Sequence, residues 1–388
     1  TTPVTTPAHP LCVSRPFGTG AYAHPLMRVV SLLPSATEMF LLLTGPKGLG
    51  GGLGARSGSH SGIPVLVGRS HECDFAPFGV AVSAGASDGT GLGAVPVLTS
   101  ARTHFQTSAQ VDREVREALA SGRSLYDLDA TRLASLKPDL ILTQDLCDVC
   151  SIDLGAVRRA AQGLSPPPRI LSLNPRSFED VIEDVLRIGG AAGLEDRALR
   201  VVLGLRERLD RAQELVPAFA PRVRVGFLEW TDPLFVAGHW TPQIIERAGG
   251  EHPLNPSVAL EGAGAADGVA GQSQRRAGKS IAVPPEVFGA TQPEFLFIAP
   301  CGLSLEASVR EARRLVGQPW FESLPAVRHD RRASGAPRLD DEQAEGGSAG
   351  RRWLRGEMVR AGPPRVWCVD GNQMFNRPST RLVDALEF

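Results

Sequence analysis

Cys147 and Cys150 stand three positions apart in Cys147-Asp-Val-Cys150, the one close pair among six cysteines (the others are Cys12, Cys73, Cys301 and Cys368). Such a pair in a loop can bind a soft metal, cycle as a dithiol or offer a thiolate to a metal centre. No His follows it, so it is not a haem-attachment sequence, and a zinc site would need two further ligands. His71 lies in Arg69-Ser-His-Glu-Cys-Asp74. Neutral imidazole is a common metal ligand, and a loop histidine bonded to a neighbouring acid is the equal alternative. Glu72 and Asp74 read as solvated or loop-stabilising acids rather than catalytic ones.

Trp230 and Trp240 bracket Asp232-Pro233 and Gly238-His239. A large flat ligand needs flat apolar walls, which Trp supplies, and core packing is the competing reading. Phe375 divides between ligand contact and core, while Arg377 suits a carboxylate or phosphate. Trp320, Trp353 and Trp367 read as structural or surface residues. Glycines within 48–54 mimic a phosphate loop, but no Lys-Ser or Lys-Thr ends the run, which excludes a nucleotide site. No G-x-S-x-G, H-E-x-x-H or complete Walker sequence occurs, and no spacing picks out a triad. The residues describe a binding protein rather than an enzyme.

The elements that must hold these residues alternate between strand and helix. Strands are expected at 28–33, 64–67, 139–143, 169–173, 222–228, 294–299 and 365–369, with helices beginning near Ser35 or Thr37 and over 111–119, 133–136, 240–248 and 381–386. Segment 178–216 reads as helix interrupted by Gly189-Gly190 and Gly193, splitting into a helix to Ile188 and a longer amphipathic one from Leu194. Alternation of this kind predicts parallel sheets, whose ligands sit beyond the carboxyl ends of the strands. The candidate residues fall there.

With 388 residues, 42% of them hydrophobic, the chain is long enough for two or three domains with sizeable cores. A formal charge of -1 gives no electrostatic reason for a nucleic-acid or anionic-membrane partner. No run reaches the ~18–20 apolar residues of a membrane helix. Gly and Pro cluster at about 45–62, 83–94, 262–278 and 330–352, segments too polar and aperiodic to form cores, which are expected to be disordered insertions. Six cysteines in so long a chain do not make a disulfide scaffold, so reduced thiols are expected. Residues 1–26 lack a secretory apolar core, and Met27 before Arg28 would serve as a start. These features favour a cytoplasmic or organellar setting over a periplasmic one.

Val29-Val-Ser-Leu-Leu-Pro-Ser-Ala-Thr-Glu-Met39 resembles the opening of the helical-backbone class of substrate-binding proteins, the vitamin B12 and iron-siderophore periplasmic-binding type. Leu136-Lys-Pro-Asp-Leu-Ile-Leu142, Gly249-Gly250 and 370–381 resemble later parts of the same class. Three segments, 68–74, Gln144-Asp-Leu-Cys-Asp-Val-Cys150 and Ala299-Pro-Cys-Gly302, resemble its signal-less cobalamin-binding branch. The resemblance implies an α/β protein with an N-terminal extension (1–27), two lobes with central parallel sheets (28–174 and 221–388), and one long helix within a helical linker (175–220). It also implies a ligand cleft between the lobes. It places Cys73, Cys301, His71 and His239 at the same cleft as Cys147 and Cys150, and Pro34, Ser35, Glu72, Asp145, Trp230, Trp240, Phe375 and Arg377 join them as candidate ligand contacts. The implied ligand is cobalamin, another corrinoid or a related metal chelate. The alternative is direct zinc, iron or iron–sulfur binding by His71, Cys73, Cys147, Cys150 and Cys301. The implied receiver of the cargo is an ABC importer or a cofactor-using enzyme, and a monomer is expected.

Overall fold

A computed structural model describes residues 26–49, 62–75, 91–146, 152–217, 219–260, 274–334 and 364–388, without the side chains of 331–334. The N-terminal half runs β1 (Arg28–Ser31), α1 (Pro34–Thr44), β2 (Val65–Arg69), β3 (Thr99–Ala101), α2 (Ser108–Ala120), β4 (Tyr126–Leu128), α3 (Ala130–Leu136), β5 (Leu140–Gln144), α4 (Leu154–Gln162) and β6 (Arg169–Leu173). Four strands form one parallel sheet in the order β2-β1-β5-β6, so all four carboxyl ends lie along one edge. Strands buried on both faces need nearly continuous apolar sequence, and Val29, Val30, Leu140, Ile141 and Leu142 are all essentially inaccessible. Their side chains alternate between two layers. Val29, Leu140 and Leu142 join Met39, Phe40 and Phe178. On the opposite face, Val30 and Ile141 join Leu133 and Val157. β3 and β4 pair as a separate antiparallel ribbon.

Two helices follow, α5 (Phe178–Ala192) and the 20-residue α6 (Glu195–Glu214), joined through Gly193 at φ 69. The break falls at Gly193 alone. The expected interruption at Gly189-Gly190 does not occur, because both glycines remain helical and Gly189 lets the two helices close on each other. A Cβ there would lie 2.4 Å from the Ala198 Cβ.

The C-terminal half comprises β7 (Val223–Thr231), β8 (Leu234–Val236), α7 (Thr241–Arg247), β9 (Gly250–Glu251), β10 (Val258–Ala259), β11 (Arg275–Arg276), β12 (Ile281–Ala282), α8 (Pro285–Ala290), β13 (Phe295–Ile298), α9 (Leu305–Arg313), α10 (Pro319–Glu322), α11 (Pro325–Ser334), β14 (Val366–Cys368) and α12 (Arg381–Glu387). β7, β13 and β14 form its parallel centre, β9 adds parallel to the start of β7, and β8 and β12 make an antiparallel edge. One apolar cluster runs from Val29 and Leu142 through Ile182, Val202 and Leu205 to Phe227, Trp240 and Leu382, so both sheets and the connecting helices share a core.

Side chains cap several helices as their sequences require. Thr107, Asp129, Asp153, Ser177 and Ser304 each accept from a backbone N–H in the following first turn. α1 departs from expectation. Leu33 occupies its cap and Pro34 its first position, so neither Ser35 nor Thr37 caps it. The expected insertions also shrink at their edges. Residues 45–49 and 92–94 form 3-10 turns, 275–276 pair with 258–259, and 330–334 end α11. Leu92 shows why, being fully buried in the main core. The remaining stretches 50–61, 76–90, 261–273 and 335–363, and the extension 1–25, lie outside the described residues.

Replacing Gly189 with Ala is expected to force α5 from α6 and lower stability by about 1–2 kcal/mol net, despite the gain in helix propensity of up to ~1 kcal/mol. A denaturation midpoint at or above that of the wild type would contradict the close approach.

Candidate functional site

The loop leaving β2 is built around Arg69, whose guanidinium donates to the carbonyls of Leu92, Val95, Ser70 and Cys73. Strand β2 runs one residue beyond the expected loop start at Gly68, and this buried cation is what fixes the turn that follows. His71 sits half-buried on that turn. Its Nδ1 lies 2.8 Å from the Thr99 hydroxyl, and its ring is tilted 5.8 Å from that of Tyr126. Burial, with help from Arg69, lowers its pKa and keeps the imidazole neutral. Cys73 turns inward, 1% exposed, with Sγ 3.0 Å from Thr37 Oγ1. Burial pushes its thiol up to about 11, so it is a protonated packing group rather than a ready thiolate.

The next residues carry a charge contact between the halves of the chain. Arg377, on the loop before α12, places Nη1 2.5 Å from Asp74 and 3.3 Å from Glu38, and Nη2 donates to the Glu72 carbonyl. Arg377 and Glu38 are both buried. Burial raises the Glu38 pKa, opposed first by Arg377 and then by Ser379 and Arg381, and burial also raises Glu72. Arg377 thus meets protein carboxylates, not an open surface.

A second contact joins the N-terminus of α2 to the end of β7. Ser108 Oγ lies 2.6 Å from Glu311 Oε2 and 2.8 Å from Thr231 Oγ1, and Thr231 reaches the same carboxylate at 3.2 Å. Trp230 is half-buried, and its Nε1 donates to the Ser108 carbonyl at 3.1 Å. A groove of about 710 Å³ opens there, lined among others by Thr107, Asp232, Glu311, Arg314 and Trp320.

Trp240 and Phe375 take the core option. Trp240 is buried and donates from Nε1 to the Phe375 carbonyl at 2.6 Å, and Phe375 packs edge-on to Phe227 at 5.1 Å. Both side chains belong to the shared core. His239, at φ 55, stacks on Trp240 and takes the Gly278 carbonyl, its pKa lowered by burial and then by Lys279. Cys301 is exposed beyond β13, its N–H on the Glu229 carbonyl. Gly371 lets the loop after β14 close on that after β13, since a Cβ there would meet the Pro300 carbonyl oxygen at 1.7 Å. Asp145 is exposed with its N–H on Asn174, Pro34 is half-buried, and Ser35 is buried in the first turn of α1. Cys147 and Cys150 lie outside the described residues. Among the described residues, no group of three or more His, Cys, Asp or Glu is placed to hold a metal ion.

Sequence reasoning missed Glu38 as a charge partner and missed Ser70, Thr99, Ser108, Thr231 and Glu311 entirely. Their roles come from contacts between distant segments, such as the 203 positions separating Ser108 from Glu311, and no local spacing signals them.

Two sheets with parallel centres, a helical connection and polar contacts between loops at strand ends agree with a family model described as periplasmic binding protein, which matches residues 90–339. The chain belongs to the periplasmic binding protein family. Such proteins bind solutes and are not enzymes. Membership overturns the expectation that a cytoplasm or organelle suits the chain better than a periplasm, since the family itself is periplasmic. Similar solved structures include the periplasmic vitamin B12 binding protein of Vibrio cholerae (16% identity, 94% of each chain covered, TM-score 0.51). A periplasmic haem-binding protein from Roseiflexus sp. RS-1 in apo form is similar too (17% identity, 93% of this chain and 95% of that one, TM-score 0.53). So is an ABC transporter substrate-binding protein from Listeria monocytogenes EGD-e (12% identity, 93% and 96%, TM-score 0.51). At these identities the likeness is one of fold. No curated protein sequence matches. Among the described residues of this periplasmic binding protein, no helix is long and apolar enough to cross a membrane.

Replacing Arg377 with Met leaves Glu38 buried without its main counter-charge, an error that costs about 3–5 kcal/mol in comparable pairs. Glu38 already holds its proton above the ordinary 4.5, and losing Arg377 raises that value further. The folded variant then binds more protons than the unfolded chain, so its stability falls as pH rises through that window. The deficit against wild type is expected to be greatest at neutral pH and to narrow on acidification, as measured by denaturation at several pH values. A deficit independent of pH would contradict the ion-pair account.

Proposed function

We propose that this periplasmic binding protein captures a flat metal chelate, a corrinoid such as cobalamin, in the cleft between its two lobes and presents it to an ABC importer. The lobes are taken as residues 28–174 and 221–388, with 175–220 connecting them. The observation that carries the reading is the meeting of strand-end loops from both sheets. The loop after β2 and the start of α2 stand on one side, and Trp230-Thr231 and Arg377 on the other. Such edges are where open α/β sheets take ligands. Trp230 supplies the flat apolar surface at that line, His71 a neutral imidazole on the facing loop. The corrinoid is favoured over other chelates by the segments 68–74, 144–150 and 299–302, which resemble the cobalamin-binding branch. Haem is the second reading, supported by the fold likeness to a haem-binding protein.

Absorption titrations with hydroxocobalamin and with haemin test this, alongside elemental analysis of the purified protein. A saturable one-to-one corrinoid spectral change is expected, weakened roughly tenfold or more in Trp230→Ala by loss of a large aromatic contact. Saturation by haemin alone would replace the corrinoid by haem. Binding of neither, with zinc or iron already present at one per chain, would overturn the chelate reading.

A further inference from the structure

The hydroxyl of Thr99 is the centre of a small relay at the first-lobe edge. It donates its single proton to Ser70 Oγ at 3.1 Å, while the His71 backbone N–H donates to it at 3.1 Å. Thr99 and Ser70 are buried, so water does not compete for these atoms. When its proton goes to Ser70, Thr99 Oγ1 is an acceptor for His71 Nδ1, 2.8 Å away. In the tautomer that this arrangement accommodates, Nδ1 carries the imidazole proton and Nε2 holds a free lone pair. Nε2 makes no hydrogen bond to the described residues and is not among the sealed, unpartnered atoms. The Glu72 N–H on Ser70 Oγ and the Arg69 bonds to the Ser70 and Cys73 carbonyls hold the turn that carries the ring. A histidine whose distal nitrogen is fixed in this way is built as metal ligands are built, the bond to the far nitrogen setting tautomer and orientation.

We infer that Thr99 and Ser70 lock His71 so that its Nε2 enters the axial position of the bound chelate's metal, and that the chain thereby selects chelates with an exchangeable axial site. This rests on the metal-chelate reading above. With hydroxocobalamin in its aquo form the step is ligand exchange. The cobalt–water bond breaks, a cobalt–nitrogen bond forms from the Nε2 lone pair, and water leaves. Cobalt keeps its oxidation state, and the Nδ1 proton stays on its bond to Thr99. Chelates whose metal is already saturated by tightly held ligands gain nothing from the relay. Thr99 is a positioning residue here, since it acts through His71.

The test compares wild type, His71→Ala, Thr99→Val and Thr99→Ser in titrations with hydroxocobalamin, dicyanocobinamide and haemin, with thermal melts to verify folding. Wild type is expected to shift the visible bands of hydroxocobalamin as nitrogen replaces water, and to bind dicyanocobinamide more weakly with its axial spectrum unchanged. His71→Ala should abolish the band shift. Thr99→Val should weaken affinity about 10–100-fold, the usual cost of losing such a supporting bond, and Thr99→Ser should restore it. A Soret shift of haemin lost in His71→Ala, without corrinoid binding, supports the same relay with haem as the source of the metal. Equal binding of hydroxocobalamin and dicyanocobinamide, with no band shift and no effect of His71→Ala, overturns the inference while leaving chelate binding intact. Binding of no chelate at all removes the proposed function itself.

Discussion

The arrangement depends on one continuous apolar body. Phe178, Ile182 and Ile188 of α5 and Val202, Leu205 and Leu209 of α6 pack in the same cluster as Val29, Met39 and Leu142 of the first sheet and Phe227, Ile244 and Leu382 of the second lobe. Each such side chain contributes about 1.5–3 kcal/mol on burial, so the relative position of the two sheets is set by the same force that folds either one. Close packing transmits this constraint without much compliance. Gly189 and Ala198 bring the two helices within van der Waals contact.

On that apolar frame the polar contacts act as selectors of geometry. Arg377 with Glu38 and Asp74, and Glu311 with Ser108 and Thr231, put buried carboxylates between segments far apart in sequence. Buried ions of this kind add little net stability when paired and cost much when unpaired. Their effect is to penalise other placements of the facing loops. Arg69 works in the same way within one loop, holding four carbonyls and thereby placing the Ser70–Thr99–His71 relay. The donors and acceptors of the facing loops are oriented by these contacts.

The sequence made the frame legible through its periodicity. Doubly apolar runs at 28–33 and 139–143 became the central parallel strands, and the amphipathic stretch after Leu194 became α6. Short antiparallel pieces such as β3, β4 and β8 escaped, because three residues carry no period. Aromatic residues just after a strand were ambiguous for a physical reason. Trp230 and Trp240 both follow expected or observed strand ends in sequence, but Trp230 lies inside β7 with its N–H on Ser108, whereas Trp240 comes after β8 and points into the shared core with its N–H on Phe375. Only the tertiary partner decides between them. Cys73 likewise reads as a ligand in sequence and as a packing thiol once Thr37 is seen beside it. Composition marked the insertions but not their edges, where single anchors such as Leu92 extend the fold inward. The setting was misjudged because it was read from residues 1–26 and from the cysteine usage, whereas the match over 90–339 carries the family.

The claim at the centre of this account is that the chelate lies between the lobes and touches both. Hydrogen exchange of the full chain with and without saturating hydroxocobalamin measures this directly. The account predicts slowed exchange in first-lobe loops at 70–74 and 107–108 together with second-lobe segments at 229–231, 300–302 and 370–377. Protection confined to one lobe, or saturation of the spectral change with none of these segments protected, would contradict it.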